Sequence, residues 1–411
     1  MNHWFKNTYL FILPGLLMAM TGVGVGDLAT AGFTGAQLGV TVLWAVVLGG
    51  VFKYFLTEGI ARWQLATNES LVSAVATRFK AAFILFLIVY FLPWCWFVGG
   101  AIINAAGVAG VEVFALAGIN VSKIEAGIFH SVLIALLVLV GKQAVFNSVM
   151  SVLAVVLFIT VFICALAVPV PVSDILKGLL LPSIPAQPGA FSWTIALMGG
   201  VGGTLTIVCY GYWLSISDRS GIQGLRSSRW DLAISYTFTC MFGIAMVIIG
   251  SVAVQEGKGL SLLLSISEYF SANIHPALGL CFLFGAWAAI VSSMLGVWQA
   301  VPFLFADAVN NLSGSENKRQ LSKSKLEKTK AYIFGVLFLT VAPLLSLFMS
   351  FKEVQKLYSF IGAFFMPVLA LTLLWLNNRV VDAEFKNPTW LNGILILVFG
   401  FFVFLGVFKF V

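Results

Sequence analysis

Gly22-Val-Gly-Val-Gly-Asp-Leu-Ala-Thr-Ala-Gly-Phe-Thr-Gly-Ala-Gln37 lies inside the first long apolar run of a 411-residue chain. Each glycine at 22, 24 and 26 costs a helix roughly 1 kcal/mol relative to alanine, so the run reads as a helix broken at this point. Asp27 follows at mid-membrane depth, where a carboxylate must face protein, water or a cation. The amides and carbonyls freed by such a break have to be met in a cavity. Secondary transporters assemble substrate sites in this way. Asp is also a favoured N-cap, so Asp27 is expected to cap the second half-helix as well.

The whole chain is 60% hydrophobic and 9% charged, which no soluble domain matches. Apolar runs near 20 residues recur along it, the mark of a polytopic helical membrane protein. We read about eleven transmembrane helices: 9–36, 40–64, 80–107, 126–141, 145–168, 190–216, 229–254, 276–307, 331–350, 356–377 and 389–409. The first run is too long for a signal peptide and lacks a small-residue cleavage site. All five cysteines, at 95, 164, 209, 240 and 281, fall in apolar runs without a Cys-x-x-Cys pair and read as small buried residues.

The net charge of +7 comes from basic loops, not from a nucleic-acid surface. Lys6, Arg62, Arg78, Lys80, Lys142, Arg219, Arg226, Arg229, Lys318, Arg319, Lys323, Lys325, Lys328, Lys330, Arg379 and Lys386 gather on one side. Lys123, Lys177, Lys258, Lys352, Lys356 and Lys409 lie on the other. The bias puts the N-terminus in the cytoplasm and the C-terminus outside a plasma (inner) membrane. The polar run from Asn310 to Lys330 is expected to be a cytoplasmic linker. The stretch Val168–Pro188 carries five prolines and cannot be helix for long.

The sixth span repeats the pattern of the first, with glycines at 199, 200, 202, 203 and 211. Five spans per half make the two interrupted helices antiparallel, the sign of an inverted repeat whose breaks face each other. Residues 1–168 then form the first repeat, 169–189 an extracellular linker, 190–377 the second repeat, and 378–411 a peripheral eleventh helix.

Lys53 sits in mid-span, beyond snorkelling reach, and needs an anion, water or neutralisation. Asp27 is a partner at similar depth. Glu58 and Arg62 stand four apart and read as an ion pair. His130 reads as a satisfied packing residue, Trp94 and Trp96 as an aromatic cluster, and Asp307 as a solvated end-of-span residue. The hydroxyls of Thr204, Thr206 and Tyr210 either line a site or bond back to helix carbonyls. There is no Walker loop, no His-Glu-x-x-His and no nucleophile–base pair, which excludes an ATP-driven pump and leaves no enzyme to argue for.

The segments Leu13-Pro-Gly15, Ala29-Thr30, Thr34-Gly-Ala-Gln-Leu-Gly-Val-Thr-Val-Leu-Trp44 and Ile60-Ala-Arg-Trp-Gln-Leu-Ala-Thr67 resemble the Nramp family of divalent metal ion transporters. Gly203-Thr204, Tyr212 and Ser215 continue the resemblance. It implies the five-plus-five inverted repeat with broken helices 1 and 6 (the LeuT/APC-type fold) shared with amino-acid and neurotransmitter transporters. The departures fall on the family's metal ligands. Its Asp-Pro-Gly-Asn motif aligns with Gly24, Val25, Gly26 and Asp27, so glycine stands at the Asp position and the carboxylate at the Asn position. Its Met-Pro-His motif aligns with Ile207, Val208 and Cys209, and a glutamine of span ten with Phe365. Span three is expected to lack an acid, and span nine an arginine, where the family's proton route runs.

Without the thioether, oxygen ligands favour a hard ion of the Mg²⁺ or Mn²⁺ kind. The first reading is therefore a transporter of a divalent cation. Asp27 is its metal ligand, and Val23, Gly24, Thr204, Thr206, Ile207, Cys209 and Tyr210 surround the site. The alternative is a small organic solute, an amino acid or amine, with Lys53 replacing the cation. A non-transporting sensor is the third. Expected partners are the lipid bilayer and the small solute, with no nucleic acid and no protein; no cofactor is expected beyond a bound divalent cation.

Overall fold

The computed structural model describes residues 3–215, 217, 219–253, 261–313 and 323–408. The described residues form helices and connections, with no strand among them. The first crossing consists of α1 (His3–Gly22) and α2 (Val25–Leu38). The chain turns at Gly39–Val42 and returns as α3 (Leu43–Thr67). A short α4 (Leu71–Arg78) precedes α5, the long run Lys80–Leu116. Then come α6 (Lys123–Val140), α7 (Gln143–Ala167) and the short α8 (Val172–Leu180). The second interrupted crossing is α9 (Ala190–Gly200), a 3-10 turn at Leu205–Cys209, and α10 (Tyr210–Leu214). It is followed by α11 (Gly221–Gly250), α12 (Ser261–Asn273) and α13 (Pro276–Leu312). The chain ends in α14 (Lys330–Val341), α15 (Phe351–Arg379) and α16 (Thr389–Phe408).

Among the described residues nine apolar runs are long enough to cross a membrane, and Phe11–Gly22 and Thr389–Phe404 are shorter apolar helices. The run Val25–Thr67 counts twice, because it reverses at Gly39. Joining Phe11–Gly22 to Val25–Leu38 and adding α16 gives eleven crossings, as the hydropathy reading expects. Helix α11 is the reference for this reversal. Gly15 packs beside Asp231 and Gly32 beside Gly250, whereas Val46 meets Gly243 and Thr57 meets Tyr236. The first crossing therefore runs parallel to α11 and α3 runs antiparallel to it.

Several expectations need revision. Helix α5 reaches nine residues past the expected end of span three and carries Glu112 there, half-buried near its C-terminus. The helix continues because Gly107 and Gly110 pack against α6 at Lys123, Ala126 and His130. The proline-rich connection does hold one helix, α8, set between Pro171 and Pro182. Residues 314–322 of the basic linker, with Lys318 and Arg319, and also Lys258 and Lys409, lie outside the described residues.

Both interruptions are set by glycine. Gly202 and Gly203 have φ of 75° and 82°, which costs any side-chain-bearing residue energy. Gly22 lies so close to them that a Cβ would sit 2.7 Å from the Gly202 carbonyl carbon. The two breaks thus cross backbone against backbone.

Small residues let neighbouring helices touch in the same way. A methyl group on Gly35 would overlap the Val247 carbonyl, whereas one on Gly393 would meet nothing within 4 Å. Gly35→Ala is expected to cost about 1–3 kcal/mol and lower the thermal midpoint in detergent. Gly393→Ala should leave that midpoint unchanged or slightly raised. Equal midpoints for the two variants would contradict this packing.

Candidate functional site

The break in the first crossing begins where the Gly24 amide bonds the Gly22 carbonyl at 2.8 Å instead of continuing the helical ladder. Gly24 is the N-cap of α2 and supplies no side-chain cap. The expectation that Asp27 caps this helix is therefore corrected. Asp27 stands inside the first turn, where a carboxylate is still favoured by the helix dipole. Its two oxygens accept the backbone N–H of Gly202 at 3.0 and 3.1 Å. The carboxylate reaches across to the other break and is 1% exposed.

Helix α9 ends at Gly200 with carbonyls that have no helical partner. Lys53, on α3, meets two of them. Its ammonium donates to the Gly199 carbonyl at 2.7 Å and also to that of Val201. A cation at a helix C-terminus is electrostatically favoured. Among the described residues Asp27 and Lys53 form no direct ion pair. They grip the same short segment, residues 199–202, from its acceptor and donor ends. Both charges are buried, and each compensates the other through that segment.

Other predicted residues divide. Val23, Gly24, Thr204, Thr206, Ile207 and Cys209 are all buried at the two breaks. The Thr204 hydroxyl accepts the indole N–H of Trp94 at 2.9 Å, so Trp94 does more than pack. The Tyr358 ring lies beside Trp94, with centroids 6.3 Å apart, and its hydroxyl borders Gly26. Tyr210 turns away from the breaks: its hydroxyl donates to Asp231 at 3.0 Å. Phe365 stacks on Tyr90 and lies tilted beside Phe86. Among the described residues no three His, Cys, Asp or Glu side chains converge.

The breaks are closed on both flanks. On the side away from the N-terminus, Gln355 donates to Thr30, whose hydroxyl also meets that of Ser359, each at 3.0 Å. The Gln355 carbonyl oxygen is buried without a hydrogen-bond partner among the described residues. On the N-terminal side Asp231 collects the Gly15 N–H, the Tyr210 hydroxyl and the Arg219 guanidinium. Arg219 also donates to the Phe11 carbonyl. Asp307 is buried, not solvated as expected, because the hydroxyls of Ser70 and Tyr212 and the amide of Asn311 surround it. Glu58 pairs with Arg62 at 2.6 Å as the spacing implies, and with Arg229. His130 is satisfied: Trp287 donates to its Nε2, and its Nδ1 meets the Ala126 carbonyl.

Trp94, Tyr358, Gln355 and Asp231 were not singled out for these roles by the sequence reading. Only Asp231 carried a usable signal, as a carboxylate within an apolar run.

Known proteins share this architecture. The family described as natural resistance-associated macrophage protein-like, Nramp, matches residues 15–411. The divalent metal cation transporter MntH of Erwinia tasmaniensis is 25% identical over 255 residues. That match covers 59% of this chain and 58% of the relative, less than two thirds of its length. A crystal structure of the Eremococcus coleocola manganese transporter superposes with a TM-score of 0.75 at 15% identity, covering 100% of this chain and 88% of that one. MhsT in complex with L-phenylalanine gives 0.62 at 15% identity, with 98% and 97% coverage. At those identities the structures speak for the fold alone.

The shared segment between Asp27 and Lys53 makes their substitutions interdependent. Lys53→Met or Asp27→Asn alone is expected to cost about 3–5 kcal/mol, because one buried charge is left uncompensated. The double variant should lose clearly less than the sum of the two. Thermal midpoints of the four proteins in detergent give the cycle, and strict additivity would show that the charges do not compensate each other.

Proposed function

We propose that this chain, which belongs to the Nramp family, is a secondary transporter that carries a divalent metal cation across its membrane by alternating access. The observation that supports this most is Asp27, a buried carboxylate on one broken helix aimed at the break of the other. Half-helix ends and unwound backbone of this kind coordinate ions in secondary transporters. The naming of the Erwinia relative as a divalent metal cation transporter points the same way. Asp27, the Thr204 hydroxyl and the carbonyls near Val23 and Gly24 would give an all-oxygen shell, suited to a hard ion of the Mg²⁺ or Mn²⁺ kind that keeps part of its water.

Lys53 must yield for that to happen. Its ammonium, held on the Gly199 and Val201 carbonyls, keeps a positive charge on the segment that Asp27 also holds and would oppose an arriving cation. The ion would enter as Asp27 releases Gly202, with Lys53 withdrawing from the carbonyls. The flanking polar clusters act as gates in this cycle. Thr30, Ser359 and Gln355 close one side, and the Asp231 and Asp307 clusters close the side of the N-terminus, read as cytoplasmic from the charge bias.

A second reading rests on the same lysine. If Lys53 never leaves, the site carries its own cation, and the solute is a small organic molecule such as an amino acid or amine. Calorimetry on the purified protein with Mg²⁺, Mn²⁺ and Ca²⁺ separates the two. The metal reading expects binding that Asp27→Ala abolishes and that Lys53→Gln strengthens at least tenfold, as a resident positive charge is removed. No divalent binding in either the parent or Lys53→Gln would refute it and favour the organic solute.

The gating role has its own readout in Cys209, which is buried beside Tyr210. Replacing Tyr210 and Tyr212 by Phe removes both hydroxyls from Asp231 and Asp307. Thiol labelling of Cys209, followed by mass spectrometry, should then accelerate several-fold. An unchanged rate would mean that these hydroxyls do not hold the side closed.

A further inference from the structure

We propose that an apolar cleft beside the second break holds one acyl chain of an anionic phospholipid, with the lipid phosphate at Lys80. The cleft has a volume of about 260 Å³. Phe83 and Phe86 of α5 form one wall, Phe365 and Leu369 of α15 the other, and Leu205 and Val208 of the interrupted sixth crossing the floor. Its mouth, at Phe79, Ala82 and Val368, is exposed where the chain faces the bilayer. The hydroxyl of Thr372 on the lining is spent on the Val368 carbonyl at 2.8 Å. The walls offer a polar solute nothing, and in a membrane an open apolar cleft is filled by lipid hydrocarbon.

Two further features point to a built site. Helix α5 widens into a π turn at Leu87–Phe91, and both end residues of that turn line the cleft. The widening has a local cause in Pro93, which has no N–H to give the preceding turn. Such π segments recur at functional sites. Lys80 stands three residues before Phe83, on the same helix face, and is exposed at the level of the mouth. Its neighbour Arg78 is engaged with Glu69 at 3.2 Å, so Lys80 is the cation presented to a headgroup. Anionic lipids concentrate at such basic positions. The chain end would touch Leu205 and Val208, residues 2% and 6% exposed in the segment that the transport cycle has to move.

The test uses the full chain in nanodiscs containing phosphatidylglycerol or phosphatidylcholine with a diazirine near the end of one acyl chain. After irradiation, adducts are mapped by mass spectrometry. Phosphatidylglycerol is expected to label Leu205 or Val208 at least fivefold more than phosphatidylcholine. Lys80→Gln, an exposed change, should erase that preference. Thr372→Trp, or Ala82→Trp at the mouth if the first variant lowers the thermal midpoint, should abolish labelling at the floor. Labelling of the bilayer-facing Leu85 and Ile88 should persist in every variant. Adducts at Leu85 and Ile88 with none at the floor would overturn the site. Floor labelling that survives both tryptophans would do the same. Equal labelling by the two lipids, or by a diazirine fatty acid independently of Lys80, would overturn the headgroup assignment.

Discussion

Unwound backbone in the middle of a bilayer has no water to pair with, and residues 201–204, just past the end of α9, are unwound there. Each free group in such a place costs several kcal/mol. Lys53 takes two carbonyls, Asp27 takes one amide, and Gly22 presses against Gly202 so closely that little else fits. The position of α3, the order of the glycines and the depth of Asp27 all follow from this need. Two charged side chains are the solution because each can satisfy a backbone group and offset the other's charge without touching it.

The same economy recurs elsewhere. Asp231 meets Arg219, and Glu58 meets Arg62 and Arg229. Asp307 is surrounded by hydroxyl and amide donors alone. Buried ion pairs stabilise little when compared with apolar packing, but losing one partner is costly. They therefore act as latches: secure while complete, weak once a single bond is exchanged. That property suits contacts that would form and part in the proposed transport cycle. The tyrosines of α10 sit on two of these clusters, which ties the second half of the broken sixth crossing to α1, α11 and α13 together.

Much of the fold was legible because glycine, proline and apolar length act locally. The glycines at 22–26 and 199–203 announce both breaks, and the spacing of Glu58 and Arg62 gives their pair. The candidate site was only partly legible. Asp27 looks the same in sequence whether it caps its own helix or reaches for an amide 175 residues away. Lys53 announced that it needed a partner, but not that the partner would be a helix end. Trp94 and Gln355 gave no sign, because a polar atom on an apolar helix declares nothing until the facing helix is known. Asp307 was misjudged for the same reason. Its position near a span end suggests water, whereas α4 and α10 fold over it.

The insertion of Asp231 and Arg219 at Pro14-Gly15 bears on the first crossing as a mechanical part. There the N–H of Gly15 and the carbonyl of Phe11 are both engaged by side chains from outside the helix, and Pro14 can donate nothing. Helix α1 runs unbroken from His3 to Gly22, so the crossing is clamped from outside at residues 14–15 and opens at 23–24. Between the clamp and the break lies a short stretch of α1 that ends on Gly22, against the unwound backbone of the other broken helix. One continuous helix therefore joins the Asp231–Arg219 cluster to the backbone at the bilayer centre.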